Sequence, residues 1–242
     1  MISLVSSRLT GESRLAVIRN KTKRAEKHFR ELEITAEQHS GNREFVVVHD
    51  SDSQAGKMRM VTYMPFDIVL AAGDVIHNPR SALDHLAYHL VQVGGGKPTQ
   101  RTGFPIADSA DKYKSIRAKK VSGMAEGAIT AIDKLRPYAG GNESLWRIHS
   151  LDIVDKHKEL IVIAEEYFFT GEHFPASFMA IGEELHFSGI FATDTNDYAD
   201  LSIEPSLAKP NVTKLQPLIP SLHQLIVFTD DLVGSFLPLL GG

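Results

Sequence analysis

The chain has 242 residues, 43% of them hydrophobic and 23% charged, with eleven histidines, no cysteine and a formal net charge of −4. That length supports a sizeable hydrophobic core without metal or disulfide staples. The absence of cysteine excludes disulfides, thiolate nucleophiles, iron–sulfur clusters and sulfur-ligated zinc. Polar chemistry must therefore run on imidazole, carboxylate, amine, guanidinium or hydroxyl groups.

Arg8, Glu12 and Arg14 interrupt the opening segment before it can form a signal-peptide core. The most apolar long stretch, Ile219 to Leu240, is broken by His223, Asp230 and Asp231, so a membrane span is not expected. The chain reads as cytoplasmic.

In chain order, residues 12–39 form a helix, with Leu15, Ile18, Thr22, Ala25, Phe29, Leu32 and Ala36 at three- and four-residue steps. Residues 43–63 read as a β-hairpin: the β-prone run Phe45–Val48, a turn at 50–56 and an alternating strand to Tyr63. Residues 66–93 are helical up to Gly94-Gly95-Gly96. Pro79 either starts this helix behind Asn78 as its cap or interrupts it. The triglycine follows a helix rather than a strand and so reads as a helix stop, not a phosphate cradle.

Short helices follow near 111–119 and 123–136, and a longer one covers 144–168, started by Asn142 or Ser144. Residues 176–205 read as a small antiparallel β-meander, and 214–239 as a final helix. The order does not alternate strand and helix, which argues against a Rossmann or barrel topology. The expected fold class is α+β, mainly a helical bundle carrying the hairpin and the meander, in a single domain over 1–242.

Two segments concentrate the polar chemistry. On a helical wheel at about 100° per residue, Asp74, His77, Arg80, Ser81, Asp84, His85 and Tyr88 fall within roughly 140° of arc. Val75, Ile76, Ala82, Leu83, Leu86, Ala87 and Leu90 fill the other side. The polar arc has no lysine or glutamate, the long flexible residues that usually solvate a helix face. Its groups are short or planar and can be held in fixed geometry.

The second segment, 144–164, is apolar nearly all round the helix and is expected to be buried. It nevertheless carries His149, Asp152, Asp155, Lys156 and His157. Buried charges need partners, and the first segment offers complementary ones.

These residue types support three readings. In metal-free acid–base chemistry, His85 would transfer a proton and Arg80 would clamp a phosphate. His77 and Asp84 would assist. Lys156, His149 and His157 would complete the site from the facing helix, with Asp152 and Asp155 setting their protonation. Alternatively, His77, Asp84, His85, His149, Asp152 and His157 could ligate a divalent metal such as Zn, Mn or Fe in a hydrolase or oxidoreductase. Neither HExxH nor paired ExxH is present, and Lys156 would sit badly beside a cation. In the third reading the two segments form a structural polar network in a non-catalytic binding protein.

The spacing R-x4-H, Arg80 to His85, resembles the HEPN superfamily of helical proteins, which includes metal-independent RNases. Its hallmark is an arginine, four to six intervening residues and a histidine on a helix. The resemblance implies an RNase-like hydrolase needing no cofactor, RNA as partner, and a site often completed by homodimerisation. Basic runs at Arg14–Arg30 and Lys112–Lys120 read first as solvated helix faces, and alternatively as a charge pattern able to track phosphates.

Overall fold

The computed structural model describes residues 9–38, 66–156 and 218–241 with their side chains. This part of the molecule is helical and holds no strand and no sheet. That overturns the α+β class expected from the sequence; the hairpin at 43–63 and the meander at 176–205 lie outside the described residues. The helices are α1 (Gly11–His39), α2 (Phe66–Val93), α3 (Ala110–Lys120), α4 (Glu126–Lys134), α5 (Glu143–His157) and α6 (Leu218–Ser235), followed by a 3₁₀ turn at Leu237–Leu239. None of them is long and apolar enough to cross a membrane, among the described residues.

Local chemistry sets the helix starts. Thr10 opens α1, its hydroxyl accepting from the Ser13 amide at 3.2 Å. Ser109 caps α3 by accepting from the Lys112 amide at 3.2 Å. Asn142 rather than Ser144 caps α5, its side-chain oxygen taking the Leu145 amide at 3.1 Å. α2 runs unbroken through Pro79. Proline removes one helical donor, and in the same turn Asn78 Nδ2 donates to the Asp74 carbonyl at 2.8 Å. Continuity through Pro79 means that the polar arc from Asp74 to Tyr88 belongs to one helix.

The chain divides into two compact units. One comprises Met1–Phe29, Ala72–Glu159 and Leu222–Gly242; the other comprises Arg30–Ala71 and Leu160–Ser221. In the second, the described residues are helix ends, with Leu32, Ile68, Val69 and Leu218 buried.

The first unit is a helical bundle. On α1, Leu15, Ile18, Thr22, Ala25 and Phe29 are buried, as their spacing requires. On α2, Val75, Ile76, Ala82, Leu83, Leu86, Ala87 and Leu90 are all buried. Each buried valine, leucine or isoleucine among them contributes about 1.5–3 kcal/mol when removed from water. The side chain of Thr22 reaches α6, donating to Asp230 Oδ1 at 2.7 Å, and Arg19 Nη2 lies 3.2 Å from Asp230 Oδ2.

α5 departs from the expectation of burial all round. Leu145, Ile148 and Leu151 form a single buried stripe, while Ile153 is 36% exposed. The helix is described to His157, and the rest of the 144–168 segment lies outside the described residues.

Candidate functional site

Helices α2 and α5 meet along a polar seam in the first unit. Gly73 allows the close approach at one end: a Cβ built there would lie 2.5 Å from Asp155 Oδ1. Next along the seam, His77 Nδ1 lies 3.0 Å from Asp152 Oδ1. Because a carboxylate only accepts, Nδ1 carries the proton. The other Asp152 oxygen takes a hydrogen bond from Lys156 Nζ at 2.9 Å. Asp152 is 4% exposed, whereas the side chains of His77 and Lys156 are 45% and 41% exposed. A buried carboxylate thus holds two half-exposed groups, Lys156 compensating its charge and His77 satisfying its other oxygen by a hydrogen bond.

Asp155 and Asp74 border this trio. Burial, and then the neighbouring Asp152 carboxylate, push the Asp155 carboxyl above the usual carboxylate range. Asp74 is exposed and lies 3.9 Å from His28 of α1.

The other end of the seam is organised by Arg80, which is 6% exposed. Its Nη2 donates to Asp84 Oδ1 at 2.9 Å and to the Phe104 carbonyl at 3.1 Å. The same Asp84 oxygen accepts from the Phe104 amide at 2.9 Å. Arg80 and Asp84, one turn apart, therefore clasp both backbone groups of a fully buried phenylalanine. Arg80 Nη1 and His149 Nδ1 are buried and find no protein hydrogen-bond partner among the described residues.

His149 belongs to this end electrostatically. Burial, and then the Arg80 guanidinium, pull its imidazole down to about 4, against the opposing pull of Asp108, Asp152 and Asp84. It is neutral at physiological pH. Asp108, which the sequence did not single out, is held ionised chiefly by Lys112 Nζ at 2.7 Å.

The residues expected to work together separate into groups. His77, Asp152, Asp155 and Lys156 form the exposed end of the seam. Arg80, Asp84 and His149 form the other end, where Arg80 is buried and the Asp84 side chain is 43% exposed. His85 lies half-buried on another side of α2. Burial lowers its imidazole first, followed by Lys21 of α1, with Asp84 opposing. Five residues turn a helix by about 500°, so the R-x4-H pair points Arg80 and His85 about 140° apart. The side chain of His157 lies outside the described residues.

No group of three or more histidine and acidic side chains is arranged to hold a metal ion, among the described residues. Two contributors gave no sequence signal. The Phe104 contacts are backbone groups in a loop, and Gly73 acts through its missing side chain. Comparison with family models, characterised proteins and solved structures finds no match for this chain.

Proposed function

We propose that the protein is a hydrolase working by metal-independent general acid–base chemistry, with His77 as the proton-transferring group and a phosphodiester, most concretely RNA, as substrate. The observation that carries this reading is the His77–Asp152 pair. The buried carboxylate orients the ring through Nδ1 and stabilises the imidazolium that forms when the other nitrogen, Nε2, takes a proton. Lys156, held on the same carboxylate, supplies a cation for the negative charge that develops on the phosphoryl oxygens.

In attack by a 2′-hydroxyl, His77 takes the proton as the O2′–phosphorus bond forms and the phosphorus–O5′ bond breaks. The leaving oxygen collects a proton from Asp155, the carboxyl that burial and Asp152 bias toward its protonated form. Arg80 has a supporting role in this scheme, because it is spent on Asp84 and Phe104.

The test is cleavage of a fluorogenic oligoribonucleotide in EDTA, comparing the native chain with His77→Ala and Lys156→Ala. The reading requires EDTA-resistant cleavage that falls roughly 100-fold or more in His77→Ala, with little change in melting temperature. A second reading, a structural polar network in a non-catalytic protein, is favoured by the burial of Arg80. It expects no cleavage from the native chain and a lowered melting temperature in both variants.

A further inference from the structure

Gly73 sits in the interior of α2, where glycine weakens a helix relative to alanine. Its backbone is helical, and it is not among the described glycines with positive φ, which are Gly95, Gly123, Gly140 and Gly241. Conformation therefore gives no reason for glycine at this position. Close approach of another backbone gives none either. The three atoms nearest a built Cβ all belong to the Asp155 carboxyl, at 2.5, 3.1 and 3.3 Å. By contrast, a Cβ on Gly94 or Gly96 would meet the backbone of Gly123. What the missing side chain at 73 provides is room for a carboxyl.

We infer that Gly73 and the adjacent Asp74 are positioning residues for Asp155, the carboxyl that gives its proton to the leaving oxygen in the reaction proposed above. The inference rests on the hydrolase reading of the seam and adds two residues of α2 to it.

The groups around Asp155 come from three helices. On α5, Asp152 is 4% exposed and is engaged by Lys156 and by His77 of α2. Asp74 stands on α2 beside Gly73. Facing it from α1, His28 Nδ1 lies 3.9 Å from Asp74 Oδ2, beyond hydrogen-bond reach. Arg24 Nε donates to His28 Nε2 at 2.9 Å, so that nitrogen accepts and the ring carries no charge to cancel Asp74. Burial comes first in holding the Asp155 proton, then the Asp152 charge, with Asp74 acting in the same direction. His77 and Lys156 oppose them.

That opposition suits the reaction. When His77 takes the 2′-hydroxyl proton it becomes a cation near Asp155. Its charge eases loss of the Asp155 proton to O5′ as the phosphorus–O5′ bond breaks. The carboxylate left behind faces Asp152 and Asp74, whose charges favour its return to the protonated form. A methyl group at position 73 leaves about 1 Å too little room for Oδ1, and the carboxyl is the flexible partner that gives way. Gly73→Ala should therefore displace Asp155 and leave α2 intact, with the melting temperature unchanged or raised.

The experiment is a carbon-13 NMR titration of the aspartate carboxyls in the full chain, with Asp155→Asn identifying the signal. Cleavage of the fluorogenic oligoribonucleotide in EDTA is followed alongside it. In the native chain Asp155 should titrate above the usual carboxylate range. Its midpoint should move to lower pH in Gly73→Ala and in Asp74→Asn, and stay near the native one in Asp74→Glu, which keeps the charge. Gly73→Ala should lower kcat roughly tenfold or more at nearly unchanged KM, without loss of melting temperature. The inference is overturned if the Asp155 midpoint is the same in the native chain, Gly73→Ala and Asp74→Asn. It is equally overturned if Gly73→Ala lowers the melting temperature and leaves that midpoint in place, which would make the glycine structural. A native chain that cleaves nothing defeats the hydrolase reading, and the titration then still upholds or overturns the positioning of Asp155.

Discussion

At the residue scale, the same side-chain type performs different tasks according to what surrounds it. His77 and His149 lie on facing helices, yet one keeps 45% of its side chain in solvent against a buried carboxylate, and the other is half-buried near a guanidinium with its Nδ1 out of solvent. For His149 the consequence can be measured. Its pKa in the folded protein is about 4 against an ordinary value of 6.5, so between those values the unfolded chain binds more protons than the folded one. Stability must then rise with pH through that window, and acidification from about pH 6.5 towards 4 must erode it. His149→Gln removes the titrating group. Urea unfolding at pH 7, 5.5 and 4.5 should show a smaller loss on acidification for His149→Gln than for the native chain. Equal losses would mean that His149 is not held neutral by its surroundings.

Arg80 makes the complementary point at this scale. The sequence places it correctly on the polar arc of α2, but arc membership does not distinguish a side chain that meets substrate from one that meets protein. Its guanidinium fork fits the Asp84 carboxylate and the Phe104 carbonyl at once, a match that a lysine ammonium does not reproduce.

At the element scale, the helices were legible where period and caps agree. The buried positions of α1 and α2 follow from 3.6-residue spacing, and α1, α2 and α3 begin within one residue of the positions expected. α5 was harder to read. Its composition suggests an apolar surface all round, but among its described apolar residues only Leu145, Ile148 and Leu151 are buried. Composition counts apolar residues, whereas burial depends on which neighbours are present.

The triglycine shows a similar gap. Gly94-Gly95-Gly96 does stop α2, and in addition Gly94 and Gly96 admit the backbone of Gly123, a contact that no local pattern announces. Gly96→Ala places a methyl group 2.7 Å from backbone atoms that cannot swing aside. It should cost about 1–3 kcal/mol, read as a lower denaturant midpoint with an unchanged slope. Gly95, with nothing within 4 Å of a built Cβ but φ +79°, should suffer only the backbone strain of alanine, about 1–2 kcal/mol.

For the whole molecule, the decisive ties join residues far apart in sequence. Arg14, 8% exposed on the first turns of α1, donates to the Leu240 carbonyl at 3.1 Å and also to that of Leu9. Beside it, the Gly11 amide donates to the Gly241 carbonyl at 2.7 Å. Arg14→Ala strips donors from buried carbonyls and should lower stability by about 1.5–3 kcal/mol in chemical denaturation. A loss below about 0.5 kcal/mol would show that the clasp contributes little.

By itself the sequence determined the chemistry available and the local helices. Composition removed sulfur chemistry, periodicity set the buried faces of α1 and α2, and the unusual polar arc marked α2 as the helix with something to hold. Only the tertiary structure decided which groups meet. Asp152 with His77, and the Arg80–Asp84 pair with Phe104, are pairings across elements, built in part from backbone groups and from glycines whose role is to leave room. One-dimensional spacing records neither. It fixes the direction a side chain leaves its own helix, while the partner waiting there is fixed by packing.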